Sequence, residues 1–220
     1  MSSLAQEVAL GKSLAAGLWC IGQIAIEPQE NGRFALNHRE DAGRNDLIAH
    51  TQPEKAAEIA RFDDAGKYRP LKTAPNLRRG WRLVLESVAE LRVALDLFYP
   101  GRLDVFVAWE NNALSATPLR ETLARQTGMY RVAAKIGEEE ANTLVGNFCA
   151  SDGGCLRTIM WRRDENGTTP STLLPAEKFD PRYDQTGLGE TVIPLLCQEA
   201  CNLLVAEARK SVQGQDRRGQ

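Results

Sequence analysis

The sequence is poor in histidine and in aromatic side chains: of 220 residues, two are His and 6% are Phe, Trp or Tyr. It holds no apolar run approaching the ~20 residues that a bilayer-spanning helix needs. Its first residues, MSSLAQEVALGKSLAAGLWC, lack the basic start and continuous apolar core of a secretory leader. Neither sign of charge is in excess. Against 29 Asp and Glu stand 27 Lys and Arg, a net charge of -2, which leaves no electrostatic footprint for nucleic acid or an anionic membrane. Also missing are a Gly-rich phosphate loop following a strand, a GxSxG elbow and a helical His pair with metal-ligand spacing. No internal repeat or low-complexity linker interrupts the chain. These absences lead us to expect a globular protein of the reducing cytoplasm that binds neither nucleic acid nor membrane.

What is present is an ordinary apolar content, 43%, enough in a chain of this length to build a core without disulfide staples. There are five cysteines, and four lie in the last third. Cys149 and Cys155 flank ASDGG, and Cys197 and Cys201 flank QEA, giving a C-x5-C pair and a C-x3-C pair separated by 41 residues. In a reducing compartment, clustered thiols serve as metal ligands or catalytic groups more often than as disulfides. Four thiolates satisfy a zinc ion or an iron–sulfur cluster. The spacings match neither the usual ferredoxin run nor the common zinc-ribbon pairs, so a cluster, zinc and unligated thiols all stay open on spacing alone. Gly153 and Gly154 allow the first loop to fold tightly around an inorganic core, with N–H groups turned toward it. Gln198–Ala208 is rich in helix formers, which predicts Cys197 and Cys201 on one face of the first helical turns. A helix N-terminus favours negative charge there. Cys20, the fifth, reads as a small buried hydrophobe in a strand.

Along the chain, residues 2–16 suit a helix with Leu4, Val8 and Ala15 on a weak apolar face broken at Gly11. Leu18–Ile26 reads as a strand returning through EPQENG to a second at Arg33–Asn37. GRNDLIAHTQ reads as surface loop. Pro53 opens a helix that Gly66 closes. Leu83–Phe98 carries the strongest helical periodicity, Leu103–Trp109 reads as a buried strand, and a helix from Pro118 leads to a strand at Met129–Ile136. A short helix is expected over Glu138–Gly146, with Glu138, Glu139 and Glu140 as its N-terminal charge cluster, and a strand beside Cys155 from Leu156, Ile159 and Met160. The fold class is α+β: a mixed sheet with packed helices and a C-terminal cysteine-ligated cluster region. Approximate regions are 1–65 (hairpin and helix), 66–140 (α/β) and 141–220 (cluster-binding).

The segment from Lys67 to Arg82 concentrates positive charge in an irregular, proline-containing stretch. Arg69, Lys72, Arg78 and Arg79 are candidates for contact with an anionic ligand or partner, since Arg suits bidentate carboxylate recognition. The plainer reading is a solvated loop paired with local acids. Trp19, Trp81, Trp109 and Trp161 read as core or interface residues. His38 and His50, flanked by polar residues, are expected at the surface. No catalytic constellation is visible.

The stretches YRPLKTAPNLRRGW (68–81), LDLFYPG (95–101), TPLRETLARQTGMY (117–130), CASDGGCLRTIMW (149–161) and LLCQEACNLLVAEAR (195–209) resemble the C-terminal region of sirohydrochlorin chelatase-like proteins of the CbiX type. That region is an iron–sulfur domain with an accompanying stabilising domain. The resemblance covers most of residues 65–210 and implies that Cys149, Cys155, Cys197 and Cys201 ligate a 4Fe–4S cluster. It also implies a link to tetrapyrrole (cobalamin or sirohaem) metabolism. A chelatase core usually needs metal-gripping histidines in a domain of its own, and His38 and His50 do not supply one. The expectation is therefore an accessory module, in electron transfer or another redox role, working with a protein partner in trans and possible contact to a tetrapyrrole. The alternative is a structural module in which zinc or a cluster locks the C-terminal helix without redox activity.

Overall fold

The computed structural model describes residues 2–17, 19–63, 65–66, 77–111, 113, 117–137, 140–141, 143–144, 158–159, 161–162, 193, 195–197 and 200–218. The chain divides into two units. The first comprises Met1–Leu114 with Asp180–Leu195, and the second Ser115–Phe179 with Leu196–Gln220.

A five-stranded mixed sheet forms the first unit, in the order β1-β2-β3-β5-β4. Its strands are β1 (Cys20–Ile21), β2 (Ile24–Pro28), β3 (Phe34–His38), β4 (Ile48–His50) and β5 (Trp81–Leu85). All neighbours run antiparallel except β4 and β5, which bears out the α+β class with a mixed sheet. The single strand expected over Leu18–Ile26 is a hairpin, because Gly22 takes a left-handed φ of 56° and turns the chain back so that Ile21 pairs with Ile24. The β2–β3 hairpin forms as its alternating apolar residues predict, with Ile26 opposite Leu36. β4 lies in the stretch read as loop; as an exposed edge strand it needs no apolar alternation. Beyond β1, Ile193 forms a parallel bridge to Ile21. The sheet thus joins strands from both sides of residue 65.

Helices α1 (Ser3–Ala15), α2 (Lys55–Ile59), α3 (Val88–Phe98) and α4 (Arg102–Glu110) complete this unit. Gly11 does not interrupt α1. The buried face of α1 is Gln6, Ala9, Leu10 and Ser13, while Leu4 and Val8 are exposed. The polar side turns inward because its neighbours offer partners: Gln6 Nε2 donates to Asp104 on α4 at 2.9 Å, and Glu7 pairs with Arg92 on α3 at 3.2 Å. The long helix expected over Leu83–Phe98 is split. WRLVL alternates buried and half-buried positions as β5, and the Ser87 hydroxyl then caps α3 by accepting from the Glu90 N–H. The strand expected at Leu103–Trp109 is instead α4, entered through Gly101 at φ 69° and burying Leu103, Phe106 and Val107 at helical spacing. Trp81 stacks on Phe98 with ring centroids 5.1 Å apart, which joins sheet to helix in the core.

The second unit holds β6 (Thr117–Pro118), α5 (Leu119–Ala124), α6 (Tyr130–Lys135), β7 (Thr158–Ile159), β8 (Trp161–Arg162), β9 (Leu196–Cys197) and a C-terminal helix, Asn202–Arg218. β6 pairs with β8 and β7 with β9, both in parallel. Met129–Ile136, expected as a strand, is helical: Met129, Ala133 and Ile136 are all buried at the four- and three-residue spacing of a helix face. The strand–helix–strand arrangement expected over 103–136 is therefore absent. Leu119, Leu123, Leu204, Ala208 and Val212 complete a core shared by α5, α6 and the C-terminal helix. Glu140–Ala141 and Thr143–Leu144 are helical, in the segment where a short helix was expected. The C-terminal helix runs through the polar tail to Arg218. Among the described residues no helix is long and apolar enough to cross a membrane.

Candidate metal centre

Strand pairing and a helix start position the second cysteine pair. β9 runs beside β7 with Ile159 opposite Cys197. The backbone of Cys197 is thereby set next to a strand that begins three residues after Cys155 in sequence. The expected placement of Cys197 and Cys201 together on the first turns of a helix is not what forms. Leu196 and Cys197 are taken up by the ladder with β7, and helix begins only at Asn202. Cys201 stands at the N-cap: its carbonyl accepts the first intrahelical bond, from the Val205 N–H at 2.9 Å. It is half-buried, free of any disulfide, and packed against the core of the second unit.

The chemistry of this position suits a sulfur-ligated inorganic group. A free thiol stands at the positive end of a helix of 17 residues, whose aligned peptide dipoles favour the negative charge of a thiolate-bound centre. Apolar core residues on one side limit water, one of the factors that set the properties of such a centre. Cys149, Cys155 and the ASDGG loop lie outside the described residues. Among the described residues no group of three or more His, Cys, Asp or Glu side chains is placed to hold a metal ion.

The basic segment is partly described. Arg69 and Lys72 lie outside the described residues. Arg79 pairs with Glu40 at 2.6 Å and Arg82 with Glu27 at 3.1 Å. The Arg78 carbonyl accepts the Trp81 indole N–H at 2.6 Å. Arg79 and Arg82 each thus have a local acid as partner.

His38 departs from expectation. It is buried at the end of β3, with Nδ1 accepting the Glu40 N–H at 3.1 Å. Burial holds its pKa below the ordinary histidine value, against the opposing pull of Glu40 and Asp41. The residue is drawn inward because β3 is covered along its whole length. His50 lies on β4 and is half-buried; β5 separates that strand from β3. Trp81 is core, as expected, but Trp19 is 48% exposed, donating its indole N–H to the Leu14 carbonyl. Cys20 on β1 is half-buried.

The sequence reading gave no role to Arg131, Lys135 and Arg209, which line one cleft between α6 and the C-terminal helix. The available signal was the four-residue spacing of Arg131 and Lys135, once that segment is recognised as helix.

Comparison with known proteins accords with this arrangement. Residues 8–110 match the DR2241 stabilising domain, and residues 111–210 match the 4Fe-4S iron-sulfur cluster binding domain. No curated protein gives a match. Among solved structures, DR2241 from Deinococcus radiodurans is 33% identical, with a TM-score of 0.71 over 96% of this chain. That relative is described as a multi-domain protein with structural similarity to chelatases and two additional novel domains. The present chain spans 42% of its length. With its two halves matching the two domain families in order, the chain carries a DR2241 stabilising domain followed by a 4Fe-4S iron-sulfur cluster binding domain.

Proposed function

We propose that this protein is a redox accessory of the cytoplasm, using its 4Fe–4S cluster in electron transfer to a partner in tetrapyrrole metabolism, with Cys149, Cys155, Cys197 and Cys201 as the cluster ligands. The observation that carries the reading is the pairing of Cys197 with Ile159. It places one member of the second cysteine pair beside the strand that follows the first pair, as a shared site requires. When bound, the cluster supplies one-electron chemistry at a potential set by its ligands, hydrogen bonds and exposure.

The residues of the chain do the rest. The Cys197 backbone belongs to a strand ladder and the Cys201 backbone to a helix start, so the two residues are held by different elements. The helix start favours negative charge at Cys201. Leu204 and Ala208, fully buried, hold that helix against α5 and α6. The tetrapyrrole connection is supported by the chelatase-like architecture described for the Deinococcus relative. Arg69, Lys72, Arg78 and Arg79 are proposed contacts for an acidic ligand or for a partner in trans.

The test is anaerobic purification followed by absorption spectroscopy and iron and sulfide analysis. A broad band at roughly 400 nm, with about four irons and four sulfides per chain, is expected of a 4Fe–4S protein. Dithionite should bleach the band reversibly. The Cys197→Ser and Cys201→Ser variants should each lose most of the iron while retaining their helical circular dichroism. Full iron and sulfide content in either variant would sink the ligand assignment, and a cluster that dithionite cannot reduce would sink the redox role.

A further inference from the structure

Among the described residues, two buried side-chain polar atoms have no hydrogen-bond partner: Asn37 Oδ1 in the first unit and Arg120 Nε in the second. Asn37 Oδ1 is an acceptor, beside the Glu27 carboxylate that its amide donates to at 2.9 Å. Arg120 Nε is a donor on a cation, and a buried charged group is the costlier kind to leave unsatisfied. Other arginines place the same atom differently. The Nε–H groups of Arg44, Arg92, Arg102 and Arg209 each meet an acceptor. Arg120 stands in the first turn of α5, and its Nη2 donates to the carbonyl of Ile136, the C-cap of α6, at 2.8 Å. A cation at a helix C-terminus accounts for that edge of the guanidinium. It does not account for the enclosed Nε–H.

The position of Arg120 points to the missing acceptor. Leu119, the residue before it, is fully buried in the core that also holds Ile136, Ala141, Leu144 and Ala200, and Cys201 packs against this core. Beyond Ile136 the sequence runs through Ala141 and Leu144 to Cys149. β6, which leads directly into α5, pairs with β8, and β9, which ends at Cys197, pairs with β7. One residue separates β7 from β8 in sequence. The strand entering the helix of Arg120 and the strand carrying Cys197 are therefore tied to one short stretch of chain. A cluster held by cysteines of this unit presents thiolate and sulfide sulfurs, negatively charged acceptors whose hydrogen bonds and surrounding charge set its potential.

We propose that Arg120 serves the cluster: its Nε–H donates to a cluster sulfide or a ligating thiolate, and its charge offsets the negative charge that grows on reduction. This inference rests on the reading of Cys197 and Cys201 as cluster ligands. It has a definite sign. A nearby donor and a nearby cation both favour the more negative, reduced state, so Arg120 raises the reduction potential.

Anaerobic redox titration of the cluster-loaded protein, followed at the cluster absorption band and by electron paramagnetic resonance of the reduced form, tests it. Arg120→Gln should lower the equilibrium constant for reduction about tenfold, or about 59 mV for one electron, with iron content and helical circular dichroism retained. Arg120→Lys keeps the charge and gives up the Nε–H, and its midpoint should fall between the two. Arg125→Gln, just past α5 at an exposed residue paired with Glu121, should change the constant less than about twofold. An Arg120→Gln protein with full iron content and the wild-type midpoint overturns the proposal. An equal shift in Arg125→Gln also overturns it, since net charge alone would then be the cause. Where Arg120→Gln holds no cluster, Arg120→Lys decides: a lowered midpoint supports the proposal and a wild-type midpoint overturns it. A wild-type protein with no reducible cluster would sink the cluster reading as well, whereas a reducible cluster indifferent to Arg120 sinks this inference alone.

Discussion

Replacing Gly22 with alanine should be among the most damaging single-methyl additions this protein can receive. Gly22 occupies the first position of the two-residue turn between β1 and β2, at φ 56°. A Cβ built there would stand 2.6 Å from the Tyr99 hydroxyl oxygen, 2.7 Å from Leu195 Cδ1 and 2.9 Å from Tyr99 Cζ. The left-handed backbone alone costs an L-residue about 1–2 kcal/mol. Crowding in a packed site adds about 1–3 kcal/mol. Tyr99 is fully buried and cannot swing into solvent. Moving it also strains the bond its hydroxyl accepts from the Gln23 N–H at 3.0 Å, worth about 0.5–1.5 kcal/mol. A total of roughly 2.5–6.5 kcal/mol follows from these terms. Gly32→Ala is the matched control. Its φ is 76° and nothing lies within 4 Å of the added carbon, so only the backbone cost of about 1–2 kcal/mol applies. Urea unfolding of both variants, with m-values compared, measures the difference. Equal losses for the two would refute the steric argument. In a Tyr99→Phe background the Gly22→Ala loss should shrink, because the nearest clashing atom is gone.

Other consequences are simpler to check. Leu204→Ala empties a fully buried site in the second unit and should cost about 2–5 kcal/mol in chemical denaturation. Ser87→Ala removes the α3 cap and should cost about 1 kcal/mol by the same method. Because burial lowers the His38 pKa in the folded state, the unfolded chain binds the extra proton more readily. The contribution of His38 to stability is therefore complete above its unfolded pKa of ~6.5 and is lost as pH falls from there toward the folded value. Comparing denaturation midpoints at pH 7.5 and 5.5 should show a drop that is smaller in His38→Asn. An equal drop in both proteins would exclude His38 as its source.

The 4Fe–4S cofactor was legible through the resemblance that the cysteine segments carry, and the β2–β3 hairpin through its alternation and turn residues. What failed was the distinction between short apolar helices and short buried strands. Leu103–Trp109 and Met129–Ile136 carry Val and Ile, which favour strands, but lie in windows too short for periodicity to decide. Burial at Leu103, Phe106 and Val107 decides it only after folding. Helix formers around Cys197 misled in the opposite direction, since no local propensity reveals that β7 offers a partner from far away in sequence. The face of α1 was misread for a related reason. Gln6 and Ser13 turn inward toward partners that the sequence does not mark: Asp104 on another helix, and the Ala9 carbonyl one turn back.

The bridge between Ile21 and Ile193 sets a timetable for biosynthesis. The Cys20 carbonyl accepts the Ile193 N–H at 2.8 Å, across about 170 residues of chain. At ~5–20 residues per second on the ribosome, roughly 10–30 s separate the appearance of these two partners. Through that interval the hairpin edge at β1 stands open in the nascent chain, a template for unwanted strand pairing. The nascent protein is thus most vulnerable to aggregation during this interval, and slower synthesis lengthens that exposure. Holding the emerging chain for those seconds is work for a chaperone.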